Sequence, residues 1–76
     1  MPHTEFFYVS SKDNRVRPTT EPTREYFLPE GKKTGQAKYV IEVFGYNHQK
    51  TAEEVRDMVE AAGMDSKLFI IRVETR

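Results

Sequence analysis

The sequence predicts a two-layer α/β domain of the α+β kind. It has a mixed four-stranded sheet, elements in the order β-β-β-α-β, and one helix packed on one face of the sheet. Three observations predict it. The stretch from Lys38 to Glu74 reads strand, helix, strand, the pattern of parallel strands joined by a crossover helix. Only one segment has a convincing helical period, so one sheet face at most is covered by a helix. Upstream, two short runs rich in aromatic residues stand between turn signals, as strands do.

The first strand is expected over Glu5-Phe-Phe-Tyr-Val-Ser10, where alternation puts Phe7 and Val9 on one face and Phe6 and Tyr8 on the other. From Ser11 to Thr23 the chain is polar. Asp13-Asn14 is a turn signal, and Pro18 and Pro22 argue against regular pairing, so residues 11–23 are expected to be a flexible polar loop. Arg24 to Leu28 reads as the second strand, ended by Pro29. The segment Pro29 to Gln36, with Gly31 and Gly35 available for positive φ, then turns the chain into an antiparallel hairpin with the Lys38 strand.

The third strand runs from Lys38 to Tyr46 and is apolar on both sides, with Tyr39, Ile41 and Val43 pointing one way and Val40, Phe44 and Tyr46 the other. Thr51-Ala-Glu-Glu54 has the form of a capping box and starts a helix expected over Thr51 to Ala62. Val55, Met58, Val59 and Ala62 make its apolar stripe. Glu53, Glu54, Asp57 and Glu60 make a solvated acidic face broken by Arg56. Gly63 occupies the position where a left-handed residue ends a helix. The last strand is expected from Lys67 to Glu74.

Parity assigns Ile41, Val43, Phe69, Ile71 and Val73 to the helix side. The other sheet face carries Val40, Phe44, Tyr46, Leu68 and Ile70 with Arg72 beside them, and these six residues are the expected partner-binding surface. Phe6 and Tyr8 of the first strand offer a competing, intramolecular cover for the same face.

Composition narrows the function. The 76 residues make a single small domain, residues 1–76, near the size at which a core buries only roughly 60% of the unfolded surface. There is no cysteine, hence no disulfide framework and no thiolate metal site. No apolar run is long enough to span a membrane, and Met1-Pro-His-Thr-Glu5 lacks the basic and apolar regions of a signal peptide, so a soluble, cytoplasmic, unprocessed protein is expected. Twelve basic residues balance twelve acidic ones. The charge is mildly uneven, with eight Lys/Arg against six Asp/Glu in residues 1–50 and four against six in residues 51–76, too little to select a partner.

Motifs for chemistry are sparse. Gly31-Lys-Lys-Thr-Gly35 lacks the GxxxxGK[ST] spacing of a phosphate loop and stands between two expected strands. Arg15, Arg17, Arg24, Lys32 and Lys33, interleaved with tyrosines, outline a nucleic-acid surface. His48, in the loop before the helix, is a conceivable general base for a small ribonuclease-like site, but no second catalytic group is placed beside it. His3 and His48 are distant in sequence and the carboxylates scattered, so no metal site and no cofactor are expected. The sequence therefore points first to a non-catalytic intracellular protein that binds another protein, or itself as a homodimer, through the open sheet face. A nucleic-acid-binding module comes second and a small enzyme third.

Overall fold

The structure is a computed structural model and describes residues 3–21 and 37–75. Its elements are β1 (His3–Val9), β2 (Val16–Thr19), β3 (Tyr39–Phe44), α1 (His48–Ala61), a 3₁₀ turn at Ser66–Leu68, and β4 (Phe69–Thr75). The strands form one mixed sheet in the order β2-β1-β4-β3. β1 runs antiparallel to both β2 and β4, while β3 and β4 are parallel and joined by α1. The two-layer, one-helix architecture and the order β-β-β-α-β match the expectation.

The second strand lies elsewhere than expected. Arg24 to Leu28 and the turn Pro29 to Gln36 are outside the described residues, whereas the polar stretch 11–23 contains β2. Pro18 does not prevent pairing because β2 borders only β1, so the donor that proline lacks is needed by no second neighbour among the described residues. The turn that leads into β2 uses Asn14 at φ 61°, a left-handed conformation that asparagine tolerates better than most residues. Ser10 N–H donates to the Arg15 carbonyl at 2.8 Å, and Asp13 Oδ1 accepts from Arg15 N–H at 3.1 Å. That backbone N–H, with the Arg17 guanidinium, holds the Asp13 carboxyl below its usual range.

Helix α1 begins one turn before the expected capping box. Asn47 is the N-cap, its Oδ1 accepting from Lys50 N–H at 3.0 Å, and Thr51 is already inside the helix, donating its N–H to the Asn47 carbonyl at 2.9 Å. Asn47→Ala is therefore expected to cost about 1 kcal/mol, more than Thr51→Ala. Urea midpoints of the two variants check this, and the reverse ranking would restore Thr51 as the cap. The other end is as expected. Gly63 has φ 83°, its N–H donates to Glu60 O and that of Met64 to Val59 O, the paired bonds of a Schellman motif.

The core lies between α1 and the sheet. Phe7, Val9, Val16, Ala52, Val55, Ile71 and Val73 form it, with Ile41, Val43 and Val59 packed at its margin. The helix stripe is thus Ala52, Val55 and Val59, while Met58 and Ala62 of the expected stripe are exposed. Ala52, Val55 and Val59 recur at i, i+3 and i+7, and it is this face, turned from Met58 and Ala62, that meets the sheet. Gln49 Nε2 donates to Val16 O at 2.8 Å and Arg56 Nη1 to Asn14 O at 3.0 Å, so polar side chains tie the helix to the β1–β2 hairpin. At the far end Glu60 Oε2 accepts from Asn14 Nδ2 at 2.9 Å and from Ser66 Oγ at 2.8 Å, and those two hydrogen bonds hold its carboxyl below the usual glutamate range.

Candidate functional site

Two regions emerge from this frame, one apolar and one polar. The apolar region follows from the sheet order. β3 borders only β4 among the described residues, and α1 lies mainly over β4, β2 and β1, so β3 is left at the margin of the covered area. Its side chains reach water on both faces of the sheet. Tyr39 is exposed on the helix side, Val40 and Phe44 on the other, and Tyr46 in the following turn is 89% exposed. Beside Phe44 and Tyr46 lies a shallow cleft completed by Gly45, Glu74 and Thr75. The one carboxylate in it, Glu74, pairs with Arg72 at 3.2 Å.

The six residues expected to bind a partner therefore divide. Val40, Phe44 and Tyr46 are exposed, Leu68 is half-buried in the 3₁₀ turn, and Arg72 is half-buried and paired with Glu74. Ile70 is fully buried, in a small second cluster with Tyr8 and Ala37, against which Phe6 packs. The register explains the burial of Ile70, since Tyr8 stands opposite it on β1 and Val40 on β3. Ile70 belongs to the core of this face and not to its surface.

Of the basic residues considered for nucleic acid, Arg24, Lys32 and Lys33 lie outside the described residues. Arg15 and Arg17 border a recess on β2 with Gln49, Glu53 and Arg56. Arg17 is neutralised by Asp13 and Arg56 by Asp57, so this recess presents mixed charge.

The polar region was invisible to sequence spacing. His3 and Glu5 project from the same side of β1, two residues apart, toward the first turn of α1, where His48 sits. Their ligating atoms all lie within 4.8 Å of one another. Glu5 Oε2 is 3.3 Å from His3 Nε2, Glu5 Oε1 is 3.6 Å from His48 Nδ1, and the two imidazoles are 5.0 Å apart at their centroids. Thr75, paired with His3 in the β1–β4 register, places its hydroxyl 2.6 Å from His48 Nε2 and 2.7 Å from the Gly45 carbonyl. His48 is thus no isolated loop histidine but a helix residue with a carboxylate at one ring nitrogen and a hydroxyl at the other. The signal that could have revealed the cluster is the alternation of β1, which continues two residues before Glu5 and puts His3 on the face of Glu5, Phe7 and Val9.

Among the described residues no helix is long and apolar enough to cross a membrane. Comparison with models of known protein families, with curated proteins and with solved structures finds no match to this chain.

Proposed function

We propose that this is a small non-catalytic binding protein of the cell interior, acting through protein–protein contacts on the outer flank of the sheet at β3. The observation that supports it most is the exposure of Phe44, at 57%, next to Tyr46 and Val40, on a strand that borders only β4 among the described residues. Aromatic side chains are enriched at the centres of interfaces, and monomeric proteins rarely leave contiguous apolar patches in water. The revised surface is Val40, Phe44 and Tyr46, with the Arg72–Glu74 pair as its polar border. The partner is another protein, and a second copy of the chain is the special case.

Phe44→Ser and Tyr46→Ser are each expected to weaken association by more than about 1 kcal/mol while leaving the melting temperature close to that of the parent, since both side chains already face water. Sedimentation reads self-association. Cross-linked capture, compared between parent and variants, reads a foreign partner. Equal behaviour of parent and variants in both assays would sink the proposal, as would a marked drop in melting temperature, which would make these residues part of the core. If an RNA or DNA is retained instead, in a manner lost with rising salt, the basic-surface reading takes its place.

A further inference from the structure

We propose that His3, Glu5 and His48 form a binding site for a divalent transition metal of the zinc class. The inference does not rest on the apolar flank, and its test can fail independently.

The donor set comes first. Two imidazole nitrogens and one carboxylate are ligands that suit zinc and its neighbours in the transition series, whereas calcium and magnesium prefer all-oxygen cages. Three protein ligands of this kind leave a fourth position for water or another donor. Here that position faces solvent, because His3 and Glu5 are accessible while the His48 side chain is only 13% exposed. Spacing comes next. Ligands about 2.0–2.1 Å from a tetrahedral ion stand roughly 3.3 Å from each other. The His3–Glu5 and His48–Glu5 separations, 3.3 Å to Oε2 and 3.6 Å to Oε1, are near that value, and all the ligating atoms lie within 4.8 Å of one another, so closing the site draws the two imidazoles together about one ion.

The hydrogen-bond network then assigns the proton on His48. Thr75 has one hydroxyl proton, and the Gly45 carbonyl, at 2.7 Å, can only accept it. The same oxygen must then accept from His48, whose Nε2 at 2.6 Å therefore carries a hydrogen. In the neutral ring this leaves the lone pair on Nδ1, which faces the Glu5 carboxylate at 3.6 Å. That lone pair and the carboxylate oxygen are both electron donors, and they face each other across a gap in which one metal ion could be ligated by both. His3 stands on the other oxygen of the same carboxylate, so the three side chains together offer a ligand set of two imidazoles and one carboxylate within 4.8 Å. Thr75 plays the part commonly found behind a metal-bound histidine, fixing the ring through its far nitrogen.

The test uses the full, untagged chain, stripped with chelator and titrated with zinc chloride by calorimetry, and with cobalt chloride by visible absorption. One zinc per chain is expected, with cobalt giving the intense ligand-field bands of a four-coordinate site. His3→Ala and His48→Ala should each weaken zinc binding by at least tenfold, and Thr75→Val by roughly tenfold through loss of the ring's orientation. His3 is exposed, so its variant folds even if that of His48 does not, and circular dichroism checks both. Phe44→Ser should bind zinc like the parent. No stoichiometric binding, or affinity unchanged in His3→Ala, would overturn the proposal.

Discussion

Phe7→Ala is expected to be the most damaging single truncation, lowering stability by about 3–5 kcal/mol. For a domain of this size, at roughly 0.05–0.15 kcal/mol per residue, that is about a quarter or more of the total. The reason is position as well as volume. β1 lies between β2 and β4, and Phe7 pairs with Pro18 on one side and Ile71 on the other. Its ring is 1% exposed in the cluster that includes Val9, Val55 and Val73. The cavity left behind would be bounded by backbone on two sides and by the helix above, so little can collapse into it. Phe6→Ala, a half-buried neighbour on the opposite face, serves as the control and should cost less. Urea midpoints at equal slope measure both. A Phe7→Ala midpoint equal to that of Phe6→Ala would show that the helix-side core is not where the stability resides.

The second large effect is expected at Gly45, where addition of a single methyl group should cost about 1–3 kcal/mol. A Cβ there would lie 2.9 Å from Thr51 Cβ and Cγ2 and closer still to its Oγ1. The backbone cannot move aside. Gly45 N–H donates to the Glu74 carbonyl at 3.0 Å, and its own carbonyl accepts from Thr75, so both ends of the residue are tied to β4. The strain must pass to Thr51 and hence to the first turn of α1. Thr51→Ala removes Oγ1, the nearest obstacle, and Cγ2 but leaves Cβ, and should recover part of the loss in the double variant. A thermodynamic cycle over Gly45→Ala and Thr51→Ala reads this directly, and strict additivity would mean the two residues do not meet.

The βαβ half of the chain was legible because its signals are local and agree. Strand alternation, a helical period and short connections occupy one continuous stretch, and Gly63 marks the helix end through its own backbone. The start of the helix is ambiguous in the sequence because two cap-competent residues, Asn47 and Thr51, stand one turn apart, and it is Asn47 that accepts from Lys50 N–H. β2 escaped notice for a different reason. Proline is a barrier to pairing in the middle of a sheet but not beside a single neighbour, as Pro18 is beside Phe7. Val40, Phe44 and Tyr46 are exposed, whereas Ile70 on the same face is buried, because its cover comes from Tyr8 across a long-range pairing. The histidine cluster needed the same long-range fact. β1 and the first turn of α1 must both be in place before His3 and His48 are neighbours, and no spacing in the sequence encodes that.

The pairing of β1 with β4 also sets how the chain must fold. His3 lies beside Thr75, so the two innermost strands come from opposite ends of the described sequence. The β1–β2 hairpin and the β3–α1–β4 unit can each form from nearby residues, but their junction pairs the described residues that lie farthest apart in sequence, and the entropy of that closure is lost before Phe7 and Ile71 bury anything. Until that closure both halves carry an open strand edge and an apolar face. At high concentration a hairpin from a second chain can occupy the same register, since the contacts are identical whichever molecule provides β1. Strand exchange between copies is the misassembly this topology invites, and it competes with folding at the single step where the two halves meet.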